Sequence, residues 1–278
     1  MRTESNNLTK VENTNPIAPY LGGKRLLAKR VIERINAIPH HTYAEPFVGM
    51  GGVFFRRGLQ PKCEVINDIN KDIAILFRVL QRFYPYFVDM MKFRISSRDE
   101  FNRLLKQDAD TLLDFERAAR FLYLQKNAFG GKVTGQNFGV SLDRGSRFDV
   151  TKLVPYLDDL HTRLSGVIVE CMNYADFIKK YDRENTLFYL DPPYWNCEND
   201  YGKDLFSKDD FENLAMLLSS IKGKFIMSLN DTKEVREIFK GFYIDSVETK
   251  YTVGIGKAKQ VGEVLIYNYK AETTKTAA

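Results

Sequence analysis

The sequence lacks the raw material of a metal centre or a disulfide scaffold. Its three cysteines, Cys63, Cys171 and Cys197, and its three histidines, His40, His41 and His161, stand at no paired ligand spacing. That argues against a zinc site and a disulfide framework, fits a reducing compartment, and leads to the expectation of no metal. No apolar run approaches the ~20 residues of a membrane span, and mean hydropathy is −0.34. Residues 1–15 are polar and lack the apolar core of a secretory signal. Internal repeats and low-complexity blocks are missing too. So are the common nucleotide fingerprints. Gly22-Gly23-Lys24 is followed by Arg25 where a triphosphate loop has Ser or Thr, and Gly49-Met50-Gly51-Gly52 has G-x-G-G spacing, not the dinucleotide G-x-G-x-x-G.

What is present is a chain of 278 residues with 44% hydrophobic content, enough for a full core in one large domain or two modest ones. Net charge is +5, weak for a chain that only coats nucleic acid. The charge is uneven, however. Residues 76–165 carry 15 Lys/Arg against 11 Asp/Glu, so nearly all of the excess sits there. A basic middle between near-neutral flanks suits a polyanion, although a solvated helical surface has the same composition.

The most informative stretch is Phe188-Tyr189-Leu190-Asp191-Pro192-Pro193-Tyr194-Trp195. Residues 186–190 read as a buried strand, and two prolines cannot continue a ladder. An acid, two rigid residues and two aromatics therefore stand at the strand's carboxyl end, the edge where open α/β sheets bind ligands. A Pro-rich turn is the plain alternative. Upstream, Glu45-Pro46-Phe47-Val48-Gly49 reads as a strand running into a Gly-rich turn, with a helix expected from about Val53. A second short strand ends at Asp68, placed either to accept a ribose hydroxyl or to cap the next helix. Helices are expected from about residue 24, around 73–80, over 98–105 and over 114–125. Residues 123–148 form a Gly-rich stretch in which Lys126, Lys132, Arg144 and Arg147 alternate with Phe129, Phe138 and Phe148. Cations for phosphates and an apolar wedge for a base step are what a DNA-facing hairpin needs. Strand–helix alternation resumes at Val167, and 243–253 with 261–269 read as a terminal hairpin.

Three motifs in one order, Pro19-Tyr20-Leu21-Gly22-Gly23-Lys24, then 45–52, then Asp191-Pro192-Pro193-Tyr194, resemble the Dam-type DNA adenine methyltransferases with the motif order of the alpha class. The likeness spans about residues 16–269. It implies a Rossmann-like, S-adenosylmethionine-dependent α/β fold, with a mostly parallel sheet ending in an antiparallel hairpin. In domain terms it implies a catalytic unit of residues 16–75 and 164–270, a helical DNA-recognition insert at 76–163, and flexible tails at 1–15 and 271–278. By resemblance, Tyr20 and Lys24 contact the cofactor. Glu45, Phe47, Gly49 and Gly51 cradle it, Asp68 meets its ribose and Ile69 its adenine. Asn173 and Tyr174 line the adenine pocket. Asp191, Pro192, Pro193 and Tyr194 are catalytic, with Asp191 also bordering the cofactor. The partner implied is double-stranded DNA, and the protein a cytoplasmic one of bacterial or phage origin. It is expected to be a monomer in solution, with more than one copy on DNA left open.

The chemistry is consistent with that. Adenine's amine is a weak nucleophile because its lone pair is spread into the ring. Asp191 and the Pro192 carbonyl can accept its N–H bonds and favour the charge that develops on nitrogen, while Tyr194 stacks on the base. A base inside a duplex must first be flipped out, at about a few kcal/mol. One departure stands out. Phe129-Gly130-Gly131 replaces the family's aromatic-Asn-Gly run, Lys132-Val133-Thr134 follows, and the family's guanine-reading Arg has no obvious counterpart there. A target other than GATC, or a looser one, is expected. Methylation of the cytosine amine, an inactive DNA-binding relative and a small-molecule methyltransferase are the rival readings.

Overall fold

A computed structural model describes residues 8–20, 24, 27–140, 143, 145–198, 205–251 and 259–270. Among these, seven strands form one sheet: β1 (Thr42–Glu45), β2 (Cys63–Asn67), β3 (Ile168–Glu170), β4 (Thr186–Leu190), β5 (Lys224–Asn230), β6 (Tyr243–Tyr251) and β7 (Lys259–Tyr267). Their spatial order is β3-β2-β1-β4-β5-β7-β6. The first five run parallel, and β7 slots between β5 and β6 antiparallel to both. This is the mixed α/β sheet expected, with the terminal hairpin folded back onto the parallel part. The strand order reverses between β1 and β4, which places the ligand crevice at their carboxyl ends.

Both sheet faces are covered, and the strands show it by strict alternation. Tyr43, Ile66, Leu187, Tyr189, Ile226 and Leu265 join one core with α1 (Ala28–Ala37) and α2 (Lys71–Arg82). Ala44, Val65, Phe188, Leu190, Met227 and Val264 join the other, with α7 (Tyr174–Tyr181), α8 (Lys208–Ser220) and α9 (Lys233–Ile238). The helices between, α3 (Tyr84–Lys92), α4 (Arg98–Lys106), α5 (Asp114–Asn127) and α6 (Val150–Leu164), bury Phe87, Phe101, Leu122 and Leu160 in the first core. The insert therefore packs as an extension of one sheet face. The expected boundaries at 75/76 and 163/164 fall inside α2 and the last turn of α6. After α5, the chain doubles back as an antiparallel hairpin. Phe129 N–H donates to the Asn137 carbonyl and Gly139 N–H to that of Asn127, both at 2.8 Å.

Two local expectations change. The helix expected from Val53 is only a 3-10 turn, Phe54–Arg56. It stops because Arg57 turns extended and sends its guanidinium into the core, 2.6 Å from Glu64 Oε1. Residues 9–10, assigned to a flexible tail, form a two-residue strand paired with Leu59–Gln60, and Val11 and Thr14 N–H groups bond to the carbonyls of Gly58 and Phe55. The other ends of the expected tails, residues 1–7 and 271–278, lie outside the described residues. No helix among the described residues is long and apolar enough to cross a membrane.

Candidate active site

The carboxyl ends of β1, β2 and β4 open into one cavity of about 710 Å³, roofed by residues 16–20 and by the insert. Tyr20, Lys24, Glu45, Phe47, Gly49, Asp68, Ile69, Asp191 and Pro193 line it, together with Lys126 and Arg147 from the insert. Sequence positions far apart thus meet in one space.

The turn after β1 is shaped by its glycines. Gly49 and Gly51 have φ of +51° and +73°, and a Cβ on Gly51 would stand 2.3 Å from the Phe55 ring. A Cβ on Gly49 would come within 3.1 Å of the Tyr20 ring, so the roof lies directly on the turn. Asp68 fixes this turn: Oδ2 accepts from Gly49 N–H and Oδ1 from Asn70 N–H, both at 2.8 Å. Asn70, rather than Asp68, caps α2 by accepting from Asp72 N–H at 3.0 Å. Burial pushes Asp68 up to about 6, against the pull of its two backbone bonds. Asn67, which sequence reasoning passed over, ties three segments together through the Pro46 carbonyl and the Met172 backbone.

Glu45 lies at the bottom, 2% exposed, and accepts from the Tyr43 hydroxyl at 2.5 Å. Burial pushes it up to about 8, with Tyr43 and Arg57 acting in the other direction. This acid is therefore largely neutral at pH 7. It is placed to ionise when a cation arrives. Phe47 and the unforeseen Phe206 supply apolar wall, with Tyr174 packed behind them at ring separations of 5.4 and 5.8 Å. Tyr174 donates to Asp210 Oδ1 at 2.8 Å, and Asn173 caps α7 through Ala175 N–H. This pair supports the wall from behind and does not itself line the cavity.

Asp191 stands at the opposite wall, its side chain 22% exposed. Lys24, almost wholly buried, places Nζ 2.8 Å from Asp191 Oδ1 and also donates to the Tyr194 hydroxyl. Tyr194 in turn donates to Glu263 Oε1 at 2.7 Å. Burial raises Asp191 above the usual carboxylate range, and Lys24 opposes that shift. The Lys24 ammonium is thus directed at the acid of the DPPY turn. Pro192 is buried, and neither it nor Tyr194 lines the cavity. Trp195 packs on Phe211, and its backbone is clamped by the Asn230 side chain at 2.9 and 3.1 Å.

The expected DNA-contacting residues divide. Lys126 and Arg147 turn inward and line the cavity, Lys126 Nζ donating to the Ile17 carbonyl at 3.1 Å. Burial lowers the Lys126 pKa. Phe129 (62% exposed) and Lys132 point outward from the hairpin. Arg144 lies outside the described residues. Gln125 is a further residue that sequence reasoning passed over. It is fully buried, and Nε2 donates at 2.8 Å both to the Pro19 carbonyl of the roof and to the Gly131 carbonyl of the hairpin. No group of three His, Cys, Asp or Glu side chains suited to a metal occurs among the described residues.

The sequence was also compared with known proteins. The sequence profile described as D12 class N6 adenine-specific DNA methyltransferase matches residues 20–253. The type II methyltransferase M.CviBI of Paramecium bursaria Chlorella virus NC1A is 25% identical over 240 residues, 85% of this chain and 90% of the relative. The type II methyltransferase M1.LlaDCHI of Lactococcus lactis subsp. cremoris is 27% identical over 280 residues, 92% of this chain and 96% of the relative. A DNA adenine methylase of Haemophilus influenzae is 25% identical over 285 residues, 94% and 95% of the two chains.

Proposed function

This chain belongs to the D12 class N6 adenine-specific DNA methyltransferases, and we propose that its cavity receives S-adenosylmethionine on the side of Glu45 and Asp68 and a flipped adenine on the side of Asp191. The observation that carries this is the single cavity shared by the three acids. When bound, S-adenosylmethionine supplies a methyl group already activated on a sulfonium. The residues fit such a group. Glu45, buried and raised to about 8, suits an amino-acid ammonium. Asp68 has acceptor capacity for a ribose beyond its two backbone bonds. Phe47, Ile69 and Phe206 offer apolar wall for a purine.

On the other side, Asp191 accepts an N–H bond from the adenine amine. As that nitrogen takes the methyl group, with S-adenosylhomocysteine left as the product, it gains positive charge and then loses one proton to solvent. The Asp191 carboxylate stabilises the charge where it develops. Tight placement of the amine accounts for the rest of the rate. In this reading the Pro192 carbonyl is a second acceptor and the Tyr194 ring, pinned through its hydroxyl, stacks on the base; neither borders the cavity, so the base must enter past the Asp191 wall to reach them. Phe129 and Lys132 meet duplex DNA outside, while Lys126 and Arg147 hold the flipped strand at the mouth. The protein acts in the cytoplasm as a monomer in solution, with more than one copy on DNA left open, at a recognition sequence other than GATC or looser than it.

The test is Asp191→Ala with duplex DNA of mixed sequence. Methyl transfer should fall roughly a hundredfold or more, with cofactor affinity within about threefold of wild type. Normal methylation by this variant would refute the assignment. Mapping the modified bases made by the wild-type protein identifies the target.

A further inference from the structure

Asp191 has two carboxylate oxygens, and the protein treats them unequally. Oδ1 receives Lys24 Nζ at 2.8 Å and Ser228 Oγ at 3.1 Å. No group among the described residues donates to Oδ2, on a side chain that borders the cavity. Ser228 is fully buried on β5, and its hydroxyl also lies 2.9 Å from that of Tyr189, itself 2% exposed. The sheet sets this up. Tyr189 pairs with Ile226 and Leu190 with Met227, so Tyr189, Asp191 and Ser228 project to the same face.

Counting hydrogens fixes the direction. An ionised carboxylate only accepts, so Ser228 must spend its single O–H on Asp191. The Ser228 oxygen can then only accept from Tyr189. Burial holds Tyr189 protonated, its pKa raised well above the usual phenol value, so that donor is always present. The chain runs one way, Tyr189 O–H to Ser228 Oγ, and Ser228 O–H to Asp191 Oδ1.

We propose that Asp191 meets the adenine amine through Oδ2 alone, and that Ser228, with Tyr189 behind it, is a positioning residue that holds Oδ1 and sets the rotation of the carboxylate. This rests on the reading of Asp191 as the amine's acceptor. The relay also supports the charged form. Lys24 from the segment before α1 favours the carboxylate, while Glu45 on β1 and Glu263 on β7 disfavour it. The Ser228 bond is the neutral contribution on the favourable side.

The experiment is steady-state methylation of duplex DNA from pH 5 to 9 by Ser228→Ala, Tyr189→Phe and the double variant, with cofactor binding and thermal stability measured alongside. Losing the Ser228 donor raises the Asp191 pKa, so the acid limb of kcat should move to higher pH by about half to one unit. At pH 7 kcat should fall about tenfold, with KM for cofactor within twofold. Tyr189→Phe removes one hydroxyl and should shift the limb the same way by less. In the Ser228→Ala background it should add less than twofold, because its hydrogen-bonded route to Asp191 is gone. The proposal is overturned if the stably folded Tyr189→Phe protein leaves both kcat and the acid limb unchanged. It is equally overturned if the variants lower kcat with the limb unmoved, or if their effects simply multiply. Asp191→Ala in the same series separates the two ideas. If it stays active, the acceptor assignment fails. If it is inactive while the relay variants behave as wild type, only the relay fails.

Discussion

The carboxyl edge of the sheet and the insert hairpin border the same cavity but are built in opposite ways. At the sheet edge, every reactive side chain leaves a strand end or the turn after it and is held by buried partners. Asp191 is gripped by Lys24 and Ser228, Glu45 by Tyr43, and Asp68 by two backbone amides. In the hairpin, Phe129 and Lys132 stand exposed on a two-rung ladder with few neighbours to hold them. Chemistry needs atoms fixed to a fraction of an ångström, whereas reading a DNA surface tolerates and uses adaptable side chains. Gln125 ties the hairpin to the roof of the cavity, and a buried charge cluster ties helix α6 to strand β2; the comparison can be tested at each.

The largest effect belongs to that cluster. Glu64 on β2 receives Arg57 at 2.6 Å and two nitrogens of Arg163, on α6, at 2.6 and 2.9 Å, with all three side chains buried. Glu64→Gln would leave two buried guanidiniums without their counter-charge. Breaking a buried ion pair costs about 3–5 kcal/mol, and urea unfolding should report a loss of that order. Arg163→Met removes one charge together with its partner bonds and should cost less. If Glu64→Gln unfolds at the wild-type midpoint, the insert is not joined to the sheet through this cluster.

Next is Glu45. Its folded pKa of about 8 means it is mostly protonated at pH 7. If a ligand ammonium requires it ionised, binding must release its proton. Cofactor affinity should then rise with pH between 6 and 8, approaching about tenfold per unit well below the pKa. Calorimetry in buffers of different ionisation heat should show close to one proton released at pH 7. Glu45→Gln should abolish both effects and weaken binding roughly tenfold or more. A flat pH profile in the wild-type protein would show that Glu45 does not meet the cation.

The same contrast decides what could be read from the amino-acid sequence. The parallel strands are legible because apolar runs end in turn residues, and Asp68 and Asp191 because each acid stands at such an end; Glu45 is singled out by the resemblance of the motif around it. Ser228 and Gln125 were not, because their roles depend on partners that only the fold supplies. Gln125 meets Pro19 across 106 residues, and Arg163 meets Glu64 across 99. Helix α6 was hidden by the Gly-rich run before it and by Pro155 inside it. The helix expected from Val53 shortens to a 3-10 turn because Arg57 is fully buried against Glu64, a pairing that only the fold supplies. Periodicity reports which face is apolar, but it does not report which charge is paired inside.

Gln125 tests whether the two regions act together. Its amide links roof and hairpin, so ordering one should favour ordering the other. DNA and cofactor should then tighten each other's binding by the same factor, about 5-fold or more. Gln125→Leu keeps the volume roughly constant, removes these bonds, and should bring that factor close to one while each ligand still binds alone. Measuring affinity for a non-reactive cofactor analogue with and without DNA gives the factor directly. An unchanged factor in the folded variant would mean that the two walls of the cavity are independent.

The smallest effect is expected at the tip of the hairpin. Lys132 is exposed and has no ion pair among the described residues, so a DNA phosphate would be its natural partner. A single phosphate contact contributes through released counterions, which sets a slope of about 0.9 in the logarithm of affinity against that of salt. Lys132→Gln should reduce the salt slope by about that amount and weaken binding evenly across sequences, leaving cofactor affinity and the pH profile untouched. A change confined to particular sequences would instead make Lys132 a base reader.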